Sequence, residues 1–374
     1  MGRKDLLGEV ERVVVKVGSS SVTGGRSVPS QGFMDSAARQ IVSLKEQGKE
    51  VLIVSSGAVG IGLGVMNAKP KPNEVPIKQA AASVGQGILM QKWNDAFQKY
   101  GCSIAQILIT LDDYSDRDTV LNLNNTIFTL LKYGVVPIFN ENDAISVKEI
   151  GPVFGDNDTL SAVIASRADA DLLVILSDVD GLYDGNPKHD PDAKLIPVVS
   201  DLSEDIVKAA GGPGSKMGTG GMKTKINAAK ICSDAGCRMI IASSAEPDII
   251  LRTVGGEDVG TLFTSDTSIT KKRRWIKAAH PNGSVTVDAG AGKAVQAHSS
   301  LLPVGIKAVS GTFGEGEVVD VVCGNTVIAR GVTDYGSADI GRIKGLRSDA
   351  AKDALGGSMP HKDVIRSENI ALLP

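Results

Sequence analysis

Lysine, glycine and paired Asp/Asn residues carry the chemistry available to this chain of 374 residues. Residues 211–225 read GGPGSKMGTGGMKTK, with six glycines in the first eleven positions and Lys216, Lys223 and Lys225 among or after them. Glycine permits φ > 0 and lets a bulky ligand come close to the backbone. From Met222 the pattern turns helical, and Ile226 and Ala229 share its face. A glycine-rich loop entering a helix offers unpaired N–H groups and a positive dipole end to an anion, and the lysines add full charges there. Taken alone, the stretch fits a polyphosphate cradle, or a flexible surface loop before an ordinary amphipathic helix.

Lys16 interrupts the apolar run RVVVKV at 12–17, where a lysine must be edge-exposed, snorkelling or turned to a ligand. GDND at 155–158 sets carboxylates beside a carboxamide at the start of a helical pattern. It can cap the helix that follows from Thr159, or a buried Asp158 can hold the two lysines by charge-assisted hydrogen bonds. NEND at 140–143 can cap a turn or receive an ammonium group. Such a set suits phosphoryl transfer, which needs positioning and positive charge around the moving group rather than covalent help. Lys16 and Lys225 would approach that group from two sides, with Gly18 and residues 55–60 supplying backbone donors.

Other chemistries are disfavoured. The chain has no G-x-x-x-x-G-K-[ST] loop, no G-x-G-x-x-G after its first strand and no G-x-S-x-G elbow. His189, His280, His298 and His361 are scattered and read as surface or structural. Cys102, Cys232, Cys237 and Cys323 show no C-x-x-C spacing and read as reduced, buried thiols. The net charge of −3 gives no overall basic field for nucleic acid or an anionic membrane. No apolar leader and no run long enough to span a bilayer is found, so a cytoplasmic location is expected.

The elements that must position these groups alternate. Apolar strands are expected at 12–17, 51–54, 104–109, 135–139, 172–176 and 239–242, and helices at 31–47, 77–100, 118–132, 158–167 and 222–235. That order argues an α/β domain with an open, mainly parallel sheet between helices, whose ligands sit beyond the carboxyl ends of the strands. The polar and glycine clusters at 18–21, 55–64, 140–143 and 177–180 all follow strands. After about residue 264 the texture changes to a polar, basic linker and then to short strands with glycine turns. The expected boundaries are 1–265 for the α/β domain, 266–282 for the linker and 283–374 for a small, mostly-β domain.

VVKVGSSSV (14–22), VSSGAVGIG (54–62), NENDA (140–144), GDND (155–158), SDVDGLY (177–183) and GTGGMKTK (218–225) resemble, in order and spacing, the glutamate 5-kinase family of the amino-acid kinase superfamily. SSLLPVGIKAV (299–309) and the strands after it resemble a PUA domain. The resemblance covers nearly the whole chain. It implies ATP-dependent phosphorylation of the side-chain carboxylate of L-glutamate, the first step of proline synthesis. It also implies Mg²⁺ with ATP, feedback inhibition by proline and a homo-oligomer, tetramer or dimer. By the same resemblance Lys16 and Lys225 stabilise the transferring phosphoryl group and Asp158 organises them. Ser56, Asp143 and Asn157 match glutamate-binding positions. Ser177, Asp178, Thr219, Gly220, Gly221, Met222, Lys223, Thr224 and Lys225 match nucleotide-binding segments, with Lys16 also facing the nucleotide. Metal ligands are left unassigned.

Two rival readings stay open. One is another superfamily activity, on N-acetylglutamate, aspartate, carbamate or UMP. The other is RNA binding through the PUA-like segment, against which residues 283–374 hold ten acidic and nine basic side chains. The basic run 271–274 beside Trp275 reads as a solvated face, so neither nucleic acid nor membrane is expected as a partner.

Overall fold

A computed structural model of the chain describes all residues except 1, 26, 70–73, 111–116, 146–156, 186, 188–189, 191, 203–220, 266–270, 298, 358 and 374. It comprises two compact units, Met1–Ser268 and Ile269–Pro374. The strands of the first unit are β1 (Arg12–Val17), β2 (Glu50–Ser55), β3 (Ile104–Ile109), β4 (Val136–Glu141), β5 (Leu172–Ser177), β6 (Val198–Val199), β7 (Arg238–Ser243) and β8 (Thr261–Phe263). They form one sheet in the order β3-β4-β2-β1-β5-β7-β8-β6, parallel throughout except between β7 and β8. Its described helices are α1 (Arg3–Leu7), α2 (Ser19–Thr23), α3 (Gln31–Glu46), α4 (Ala58–Val65), α5 (Val75–Gln98), α6 (Arg117–Lys132), α7 (Asn157–Arg167), α8 (Met222–Asp234) and α9 (Ile249–Val254).

The strands read as unbroken apolar runs because both faces of the sheet are covered. Val13, Val15 and Val17 point into one core with Met34, Ile41 and Trp93 from α3 and α5. Val14, Leu52 and Ile175 point into the other with Leu160, Ile164 and Ala229 from α7 and α8. Alternation along β1 puts Lys16 on the face of Val14, beneath α7 and α8. β1 pairs with β2 on one side and β5 on the other, so Lys16 is not on an edge. The chain lays β2 to one side of β1 and returns later to lay β5 on the other. That reversal opens a crevice at the carboxyl ends of β1 and β5, the usual ligand position of open α/β sheets.

The glycine-rich stretch 55–64, expected as a loop, is largely helical. Only Ser56 and Gly57 separate β2 from α4, and Gly57 makes the turn at φ 114°. The glycines of α4 and α5 serve contact between backbones. A Cβ at Gly62 would lie 1.8 Å from the Ala81 carbonyl oxygen, and one at Gly85 would lie 1.8 Å from that of Ala58. The two helices therefore cross at a distance that no side chain survives. At the opposite border of the sheet, Arg3 is buried and donates to the carbonyls of Pro197 (2.6 Å), Gly260 (3.0 Å) and Val259, tying α1 to the β6–β8 edge.

The second unit carries β9 (Gly283–Val287), β10 (Ile306–Gly311), β11 (Val318–Cys323), β12 (Thr326–Val332) and β13 (Ile370–Leu372) in the order β10-β9-β11-β12-β13. Its helices are α10 (Lys271–Ala278), α11 (Ala289–Gln296), α12 (Ser337–Ile343) and α13 (Ser348–Ala354). Val285, Val319, Ile340 and Ile365 share its core. Within the stretch expected as a linker, α10 buries Ile276 completely, and Arg330 donates to the carbonyls of Lys277 (2.9 Å) and Ala279 (2.5 Å). Trp275 stays about half exposed, at 47%. All four cysteines are free. A hydrogen bond with Cys237, reinforced by burial, pushes the Cys232 thiol well up, which makes it a poor nucleophile. No described helix is long and apolar enough to cross a membrane.

The α4–α5 contact gives a direct test. Gly85→Ala is expected to destabilise the chain by about 2 kcal/mol or more in urea denaturation, because the new methyl must push one helix off the other. Gly87→Ala, two residues on with open space around its Cβ position, should be neutral or stabilising by up to about 1 kcal/mol.

Candidate active site

Asp158 is the second residue of α7, 3% exposed, and its carboxylate is held by three side chains. Lys16 Nζ, at the end of β1, lies 2.5 Å from Oδ1. Lys225 Nζ donates to Oδ2 at 3.0 Å and Thr224 Oγ1 to the same oxygen at 2.8 Å, both from the first turn of α8. Asp158 thus ties β1, α7 and α8 together. Among the described residues two ammonium groups share one carboxylate, so their cluster carries one surplus positive charge in a buried setting. A purely structural ion pair would be neutral. The N-terminal ends of α7 and α8 meet at the same point and add their positive dipole ends. Gly18 follows β1 beside the cluster, where a Cβ would lie in ordinary contact with Lys16 Nζ (3.8 Å) and the Leu176 carbonyl oxygen (3.6 Å). The arrangement is built to take an anion.

Beside this cluster, at the carboxyl ends of β2 and β4, lies a chain of side-chain amides. Asn157, the first residue of α7, donates from Nδ2 to Ser56 Oγ (2.6 Å) and to Asn140 Oδ1 (2.9 Å). Asn140, at the end of β4, donates in turn to Gln86 Oε1 of α5 at 2.9 Å. Asn157 Oδ1 is buried and has no hydrogen-bond partner among the described residues. Asp143 follows in the turn after β4, where the Asn142 N–H donates to the Ile109 carbonyl at 2.9 Å. Ser55 and Ser56 divide their roles: the Ser55 hydroxyl accepts from Trp93 Nε1 at 2.9 Å inside the core, and Ser56 faces Asn157.

On the other side of β1, Ser177 ends β5 and its hydroxyl donates to Asp178 Oδ1 at 3.1 Å. Asp178 itself is exposed. The Ser244 N–H donates to the Ser177 carbonyl at 2.8 Å, and Ser21 Oγ donates to Ser244 Oγ at 2.7 Å, so β5, β7 and α2 are joined here. Gly221 precedes α8, Met222 is half-buried and Lys223 points to solvent, away from Asp158. Thr219, Gly220 and the rest of the glycine-rich run before Gly221 lie outside the described residues, as do Gly155 and Asp156. Gln86 was not singled out from sequence. Its signal was a polar side chain on the buried face of a helix, between Ala82 and Leu89.

Burial acts most strongly on Asp158 and raises its pKa. The charges of Lys16 and Lys225 and the hydrogen bonds from Lys16 and Thr224 together outweigh it, and hold the group below the ordinary carboxylate value. A depressed pKa stabilises the fold above the unfolded-state value, and the contribution is lost as pH falls through the folded-state value. Asp158→Asn strands two buried ammonium groups and is expected to cost about 3 kcal/mol at pH 7. In urea titrations the gap between wild type and variant should stay constant down to about pH 4, where a free aspartate titrates, and narrow below it.

Residues 11–243 match the sequence profile of the amino acid kinase family, and residues 283–355 that of the PUA domain. The chain is 50% identical to the glutamate 5-kinase of Methanosarcina mazei, with 99% of this chain and 98% of that protein aligned. It is 43% identical to the glutamate 5-kinase of Caldanaerobacter subterraneus, with 97% and 98% aligned, and 43% identical to that of Trichlorobacter lovleyi, with 99% of each. The chain belongs to the amino acid kinase family, on its glutamate 5-kinase branch.

Proposed function

We propose that this chain transfers the γ-phosphoryl group of ATP to the γ-carboxylate of L-glutamate, giving L-glutamyl 5-phosphate and ADP. The Lys16–Asp158–Lys225 cluster carries the reading, in a chain similar over nearly its whole length to glutamate 5-kinases. The acceptor needs no general base, since a glutamate side chain ordinarily titrates at about 4.3 and is ionised near pH 7. A carboxylate oxygen attacks the γ-phosphorus as the bond to the ADP oxygen breaks, and negative charge shifts towards that leaving oxygen. Lys16 and Lys225, already oriented by Asp158, neutralise that charge without reorganising. Asp158 is a poor base because its proton affinity is lowered by the same lysines. Its task is to hold them apart and aimed.

Ser56, Asp143 and Asn157 bind glutamate in this reading, at the ends of β2 and β4. Ser177, Asp178 and residues 219–225 bind the nucleotide in this reading, Ser177 at the end of β5 and Met222–Lys225 at the start of α8. The described members of both sets flank the crevice at β1, which supports a reading with donor and acceptor on opposite sides of the lysines. No group of three or more His, Cys, Asp or Glu side chains converges among the described residues, and Asp158 is committed to its lysines. In this reading Mg²⁺ arrives with ATP as MgATP, bound mostly through phosphate oxygens and water. The reaction is the first step of proline biosynthesis, with proline as feedback inhibitor and a cytoplasmic homo-oligomer, dimer or tetramer, as the working form. Residues 1–265 are the catalytic domain and 283–374 a structural or regulatory one. Its near-balanced charge, ten acidic and nine basic residues, speaks against an RNA footprint.

ADP release tested with glutamate, N-acetylglutamate, aspartate, carbamate and UMP, with hydroxylamine trapping of the acyl phosphate, should respond to glutamate alone. In that assay Lys225→Ala is expected to lower kcat by about 100-fold or more while leaving the KM for ATP within about threefold. A normal kcat with a raised KM for ATP would place Lys225 in ground-state binding instead.

A further inference from the structure

Asn157 commits both Nδ2 hydrogens, to Ser56 and Asn140, and among the described residues its buried Oδ1 has no partner. A buried acceptor without a donor is costly. The donor it lacks suits a ligand bearing N–H groups. A primary amide turned by 180° keeps its shape but exchanges donor for acceptor, so only its partners decide which atom faces the ligand. The Ser56 hydroxyl can donate or accept and decides nothing. Asn140 does decide: its Oδ1 receives Asn157, so its Nδ2 must find an acceptor elsewhere, and finds Gln86 Oε1 at 2.9 Å. Gln86 is 9% exposed, and its own Nε2 faces Gln106 Oε1 at 3.4 Å.

We infer that Gln86 is a positioning residue for the acceptor substrate: by accepting from Asn140 it fixes the Asn157 amide with Oδ1 towards the α-ammonium group of glutamate. The inference rests on the proposed function. Without Gln86 Oε1, the Asn140 amide gains by reversing and donating to Asn157. Asn157 then reverses too and presents N–H groups to an ammonium, which repels it. Gln86 touches no substrate and acts only through two other side chains. Its place on α5 is itself constrained, because the preceding residue, Gly85, is in backbone contact with Ala58 of α4.

The test compares glutamate with glutarate, which lacks the ammonium group, in the ADP-release assay on the full chain. Gln86→Met keeps length and volume but removes the acceptor; Gln86→Glu is acceptor-only and locks the observed polarity. The ratio of kcat/KM for glutamate over glutarate should fall about tenfold or more in Gln86→Met and stay within about threefold of wild type in Gln86→Glu, with the KM for ATP unchanged in both. A general packing defect would lower both substrates together and leave the ratio alone. An unchanged ratio in Gln86→Met, or an equal fall in both variants, overturns the inference while leaving the proposed function standing. A wild-type chain that releases no ADP with glutamate overturns the proposed function and this inference with it.

Discussion

A single carboxylate holding two ammonium groups away from water is the constraint on which the rest of the first unit depends. Each charge loses hydration on burial, and the attraction restores it only while all three groups keep their geometry. Asp158 is supplied by the start of α7, Lys225 and Thr224 by the start of α8, and Lys16 by the end of the central strand β1. None of these elements can shift without leaving a buried charge unpaired. The surplus positive charge has a second consequence. In the proposed function an anion in the crevice offsets that charge. Stability and chemistry are thus served by the same three side chains.

The sheet makes that constraint affordable. Interior parallel strands are covered by helices on both faces, and a lysine on such a strand has nowhere to go except the carboxyl end, where loops replace the covering helices. Lys16 is the fifth residue of six in β1, close enough to that end to reach the helix termini. Alternation turns it to the α7–α8 side. On the α4–α5 side the architecture uses close contact instead of charge. Glycines at 62 and 85 bring two backbones together, and α5 then delivers Trp93 to Ser55 and Gln86 to Asn140. One long helix sets both the floor of the core and the polarity of the amide chain.

Much of this was legible in the residues. The unbroken apolar runs marked β1 and β5 to within a residue, because strands buried on both faces leave no alternation to misplace. The helical spacing from Met222 located α8, and Lys16, Asp158 and Lys225 stood out as charges in apolar or glycine-rich settings. Residues 58–65 did not read as helix, because glycine has low helical propensity and its reason for being there lies on α5. Gln86 was silent for a similar cause: a glutamine in an apolar helix carries no sign of the asparagine it will meet from β4. The basic run at 271–274 hid Ile276, whose burial depends on β12 and β13.

The sequence by itself determined the element order, the parallel α/β class, the change of architecture in the last third and the residue types available for phosphoryl transfer. These follow from local properties, namely side-chain period, turn residues and the cost of a charge in an apolar run. Only the tertiary structure decided which charges share a carboxylate, which serine faces the site and which faces the core, and which atom of Asn157 is left over. Those outcomes depend on distances between residues far apart in the chain, 38 positions for Trp93 and Ser55, 67 for Lys225 and Asp158 and 101 for Asn157 and Ser56. Packing fixes such distances and local sequence does not encode them. For Lys16 the residue type posed the question, and the pairing of β1 on both sides with α7 and α8 above it supplied the answer.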